Sequence, residues 1–130
     1  MKFKGEEHEE TLREANNYAN TLLELKRYTE AKRLALKTLP VARRVLGDCN
    51  EFTLMIRMNY AMALCKNPAA TLDDIREAET TIAETERTAR RVFGAAHPLV
   101  GKMEADLRTA RGVLRAGEAL SGGLNEVEDA

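Results

Sequence analysis

The sequence predicts an all-α protein built from antiparallel helix hairpins stacked side by side, about two and a half hairpin units long. Three observations carry that prediction. First, a group of residues recurs at fixed offsets: Gly5, Thr11-Leu12 and Asn17-Tyr18-Ala19 return 42 positions later as Gly47, Thr53-Leu54 and Asn59-Tyr60-Ala61. Second, Val41 to Gly47 (VARRVLG) matches Thr88 to Gly94 (TARRVFG) at five of seven positions. Third, apolar residues between these landmarks recur at three- and four-residue steps, which places them on one side of a helix, and no segment alternates with the two-residue period of a strand.

The helices follow in order from that periodicity. Leu12, Ala15, Tyr18/Ala19, Leu22 and Leu25 predict a first helix over about 9–26. Ala31, Leu34/Ala35, Leu39, Ala42 and Val45/Leu46 predict a second over about 29–46. Leu54, Met58, Ala61 and Leu64/Cys65 mark a third, and Ile75, Ala78, Ile82, Ala89 and Val92/Phe93 a fourth, so that a second hairpin spans about 51–93. A single helix over about 98–116 opens a third unit, with Leu99/Val100, Met103, Leu107, Ala110 and Val113/Leu114 on its apolar side. The repeat domain is thus residues 1–116. Residues 117–130 form an acidic tail, flexible or a short capping segment in which Leu120, Leu124 and Val127 can dock.

Local chemistry agrees with these boundaries. Gly47 and Gly94 stand where glycine closes a helix in the left-handed conformation, each after an Arg pair that suits the negative end of the helix dipole. Pro98 suits a first helical turn, and Thr71 or Asp73 can cap the fourth helix. Pro40 is the misfit, predicting a kink or break in the second helix. Ala19, Ala31, Ala61 and Ala78 fall where paired helices cross, so their small side chains allow close approach. Tyr18 and Tyr60 read as core.

Composition narrows the function classes. A formal charge of -1 generates no global field toward nucleic acid or anionic lipid. The basic residues of the second helix, Lys32-Arg33, Lys37 and Arg43-Arg44, come without an aromatic stacking platform and are diluted by Glu24 and Glu30, so nucleic acid is not the expected partner. No apolar run approaches the roughly 20 residues of a membrane span, and the first ten residues lack a signal-peptide core. Cys49 and Cys65 read as reduced residues of a cytoplasmic protein, with a disulfide between them as the alternative. His8 and His97 fit no metal-ligand spacing; the Glu6–Glu10 stretch is either a solvated acidic turn or a weak cation site. No phosphate loop or nucleophile elbow is present, so neither catalysis, cofactor nor metal is expected.

These residues resemble the kinesin light chain type of tetratricopeptide repeat. The likeness runs through Gly5, His8, Thr11-Leu12, Asn16-Asn17-Tyr18-Ala19, Tyr28, Glu30-Ala31 and Val45-Leu46-Gly47. It resumes at Thr53-Leu54, Asn59-Tyr60-Ala61, Glu77-Ala78, Val92-Phe93-Gly94 and His97-Pro98. Glu9, Asn50-Glu51 and Pro40 depart from the pattern, and Asp106 stands at the asparagine position of the third unit. The resemblance implies a short right-handed superhelix whose first-of-pair helices, about 9–26, 51–65 and 98–115, line a concave groove for a peptide or partner protein. It implies that Asn17 and Asn59 hydrogen-bond a ligand backbone. Arg13, Met55 and Lys102 lie one turn to one side of them, and Asn20, Met62 and Thr109 one turn to the other. Arg13 and Lys102 would favour acidic groups, and the methionines adaptable apolar contact. The bland readings are helix-to-helix hydrogen bonds for the asparagines, inter-helix packing for the methionines and solvated charge for Arg13 and Lys102. A structural segment that self-associates through exposed terminal helices, with no ligand of its own, is the alternative function.

Overall fold

The computed structural model describes residues 4–129, with side chains described from 9 to 122. Five α-helices run in order: α1 (Lys4–Glu24), α2 (Tyr28–Leu46), α3 (Glu51–Lys66), α4 (Leu72–Phe93) and α5 (Pro98–Asp129), with no strand among the described residues. Each helix packs on the next in sequence, and α1 packs on α3 and α3 on α5. The odd-numbered helices therefore share one layer, while α2 and α4 lie on the other and are not a packed pair. None of the helices is long and apolar enough to cross a membrane.

The helix ends show how local chemistry sets this arrangement. α1 closes with Lys26 at φ 62, its N–H bonding the Leu23 carbonyl at 3.0 Å while Arg27 N–H reaches Leu22 at 2.8 Å. This is a glycine-type closure made by a lysine. Asn50 caps α3 by accepting from Phe52 N–H at 2.9 Å. Thr71 and Asp74 form a reciprocal capping box on α4, each bond 3.1 Å. At the start of α5, His97 Nδ1 accepts from Leu99 N–H at 3.1 Å and its ring stacks on Phe93. That histidine is a cap.

Three sequence expectations are corrected here. Gly47 and Gly94 do close α2 and α4, with N–H bonds to the Arg43 and Arg90 carbonyls, but at φ/ψ of 91/163 and 88/156. Their φ is positive while ψ is extended, a region open essentially to glycine alone, and not the left-handed helical one. Of the kink or break expected at Pro40, the break does not occur: α2 runs unbroken to Leu46. Both Pro40 and Leu36 face solvent, so the Leu36 carbonyl deprived of its donor can turn to water. Tyr18 is no core residue: it is 55% exposed. Tyr60 is half-buried and donates its hydroxyl to Glu77 Oε1 at 2.8 Å. Burial, then Glu77, push that hydroxyl up to about 12.

The core centres on α3, which touches all four other helices and buries ten of its sixteen residues. Its sides meet Leu12, Ala35 and Ala42 through Ile56, and Ala78, Ile82, Val100 and Met103 through Leu54, Met58 and Met62. Ala19, Ala31, Ala61 and Ala78 are all buried, so backbones approach closely at the crossings. Arginine bridges tie α4 to α5: Arg90 holds the buried Glu86 and reaches Glu104, Arg111 meets Glu79 at 3.2 Å, and Arg76 meets Glu118 at 3.8 Å. α5 continues as helix beyond residue 116, to Asp129, with Leu120 72% exposed. Leu124 and Val127 lie outside the residues whose side chains are described.

Candidate binding cleft

The odd-numbered layer holds a cleft of about 330 Å³ lined by α1, α3 and α5 alone. At its floor two amides meet: Asn59 Nδ2 of α3 donates to Asn16 Oδ1 of α1 at 2.6 Å, and both residues are buried. No described group bonds the remaining amide atoms, Asn16 Nδ2 and Asn59 Oδ1, and among the described residues no buried side-chain polar atom lacks a partner, so both touch solvent at the cleft. The pair thus offers one free donor and one free acceptor side by side.

Four of the chain's five methionines surround this pair. Met58, Met62 and Met103 are buried and form the apolar floor, while Met55 is half-buried at the lip. Glu24, Lys66, Lys102 and Asp106 stand around the rim, two acids and two bases, and none of the four forms an ion pair among the described residues. The Asp106 carboxyl is raised above its usual range by burial, an effect that Lys102 and Lys66 offset only in part. A carboxylate whose native pKa is raised favours the protonated fold: it stabilises below the ordinary carboxylate range and costs stability once ionised. Asp106→Asn is therefore expected to raise the urea-unfolding midpoint at neutral pH, and to lose that advantage when acid protonates the wild-type carboxyl. An unchanged midpoint at neutral pH would count against an uncompensated charge there.

Of the eight residues expected from sequence, Asn20, Met55, Asn59, Met62 and Lys102 line the cleft and Arg13, Asn17 and Thr109 do not. Arg13 lies over the Phe52 ring, 5.2 Å from its centroid, and sits 3.9 Å from Glu9. Thr109 is exposed and donates to the Ala105 carbonyl at 3.2 Å. Asn17 is exposed, only its backbone carbonyl accepting, from the Thr21 hydroxyl. The physical reason is positional. Asn59 faces backward to α1, and its equivalent Asn17 faces the side of α1 on which no described helix packs. Asn16, one position earlier and about 100° round the helix, does the work instead. The sequence held a signal for it: Asn16 falls four residues after Leu12 and three before Ala19, a polar residue on the buried stripe.

Among the described residues no three His, Cys, Asp or Glu side chains gather as metal ligands. Cys65 is buried and its thiol is raised by burial; Cys49 is exposed and neither is in a disulfide. No family model, curated protein or solved structure matches the chain.

Proposed function

We propose that the chain is a binding module in which a stack of tetratricopeptide-like hairpins holds a short, extended segment of another polypeptide in the α1/α3/α5 cleft. The observation that carries this reading is the Asn16–Asn59 pair, whose free donor and acceptor match the N–H and C=O that one extended residue presents on the same edge. Burying amides in this way is justified only if water or a ligand completes their hydrogen bonds. The methionines supply adaptable apolar contact for the side chains beside that residue. A rim with both signs of charge suits a segment with charged residues of both signs, a broader choice than the acidic ligand expected from Arg13 and Lys102. Asp106 fits the same reading, since an ionised carboxylate kept at a stability cost is placed to meet a ligand's donor or cation. The cleft offers amides, thioethers and fixed charges, which is the equipment of recognition and not of bond-breaking.

The test is to select peptides from a random library on the wild-type chain and measure their affinity for Met55→Glu/Lys102→Glu. Both positions are on the rim, so the melting temperature is expected to stay within a degree or two while affinity falls at least tenfold, roughly 1.4 kcal/mol. Arg13→Glu, outside the cleft, is expected to bind as the wild type does. Peptides that bind the rim variant undiminished would refute the assignment of the cleft.

A further inference from the structure

The even-numbered layer carries a second surface, remote from the cleft. Arg33, Lys37 and Arg44 are exposed along one side of α2, with Leu36 50% exposed beside them and Lys32 half-buried. None of these four cations joins an ion pair among the described residues, whereas Arg76 and Arg90 of α4 are bridged to α5. The one acid of α2, Glu30, is held by Arg27. At the equivalent positions of α4, 47 residues on from Lys32, Arg33 and Lys37, stand Glu79, Thr80 and Glu84, none of them basic; only Arg44 has a basic counterpart, Arg91, so three of the four cations are particular to α2.

The complement lies at the other end of the chain. A Cβ on Gly117 would come within 2.8 Å of Leu72 Cδ2, and Glu118 pairs with Arg76, both at the first turns of α4. From there α5 runs on through residues 119–129, roughly 16 Å past the end of its neighbour. α5 packs only on α3 and α4, and Leu120 is 72% exposed. In sequence this extension places Leu120, Leu124 and Val127 at steps of four and three, with Glu126, Glu128, Asp129 and no base. Gly122 and Gly123 lower the helix propensity of this end of α5, so docking on a surface would stabilise it. The chain's own α2 cannot supply that surface, because α2 packs with α1 and α3 and is not a neighbour of α5.

We propose that the α5 extension of one copy docks on the basic side of α2 of another, its acids against Arg33, Lys37 and Arg44 and its apolar stripe over Leu36. The contact is heterologous, so a docked pair keeps one free face and one free extension between its two copies and chains grow head to tail. The cleft, in the odd-numbered layer, stays open throughout.

Sedimentation velocity of the full chain tests this. At low ionic strength the wild type is expected to form concentration-dependent species larger than a dimer, and to return toward monomer in high salt as the charges are screened. Arg33→Glu/Lys37→Glu and Glu126→Lys/Glu128→Lys are each expected to be monomeric, the first with an unchanged melting temperature because Arg33 and Lys37 are both exposed. An equimolar mixture of the two variants restores opposite charges at both contacts, the unaltered extension on the unaltered face and the reversed extension on the reversed face, and is expected to recover species larger than a dimer. A monomeric wild type at low ionic strength, association indifferent to the reversals, or a mixture that stays monomeric would each overturn the proposal. So would a monomeric chain that binds RNA or anionic vesicles and loses that binding in Arg33→Glu/Lys37→Glu.

Discussion

Leu54→Ala is expected to lower the free energy of unfolding by roughly 3 kcal/mol, within the range of about 2–5 kcal/mol for truncating a fully buried leucine. Leu54 is fully buried at the first turn of α3, among residues that α4 and α5 contribute to the largest buried cluster. Removing its isobutyl group strips apolar contact from α3, the helix on which all the others pack, and those neighbours cannot close the gap without moving α3. For a domain whose total stability is on the order of 5–15 kcal/mol, that is a large share, and the melting temperature should fall by roughly 10 °C. Leu36→Ala makes the control: the same chemistry on a half-exposed side chain of α2 should cost well under 1 kcal/mol. Equal losses for the two variants in a thermal melt would show that the buried cluster is not centred where the packing puts it.

A set of glycine replacements is expected to split in sign although none of them meets a steric obstacle. A Cβ at Gly47, Gly94, Gly101 or Gly112 would find nothing within 4 Å. At Gly47 and Gly94 the backbone sits at φ 91 and 88 with extended ψ, so alanine there must bear a torsional strain of about 1–3 kcal/mol per site. Gly101 and Gly112 lie inside α5 at ordinary helical dihedrals, so alanine stabilises by about 0.5–1 kcal/mol each through helix propensity and a less free unfolded chain. Gly47→Ala/Gly94→Ala should therefore lose about 2–6 kcal/mol, enough to unfold a marginal domain, while Gly101→Ala/Gly112→Ala should gain on the order of 1 kcal/mol. Chemical denaturation of the two double variants separates the cases. A loss in both pairs would mean that packing, and not the backbone conformation, decides these positions.

Much of the fold was legible before any coordinate. Five helices follow from three- and four-residue apolar steps, the fifth running to Asp129 and past its expected end near 116, and the hairpin boundaries follow from Gly47, Gly94, Pro98 and Thr71, because each of these residues acts on dihedrals or hydrogen bonds within a few positions of itself. The closure at Lys26 left no trace in the sequence, since a lysine at positive φ is held there by the Leu22 and Leu23 carbonyls and carries no glycine to mark it. The cleft was legible in part. Met55, Asn59, Met62, Asn20 and Lys102 come from repeat equivalence, which works wherever the two units have equivalent neighbours.

Where the neighbours differ, equivalence fails. Asn17 and Tyr18 match Asn59 and Tyr60 in sequence, yet the first pair is exposed and the second is buried or half-buried. Periodicity along the chain sets which residues form helices and where those helices stop, because such forces are local. Which matching residue is buried, which amide meets which, and which charges are left unpaired depend on the helix packed alongside, and only α1, α3 and α5 in contact decide that.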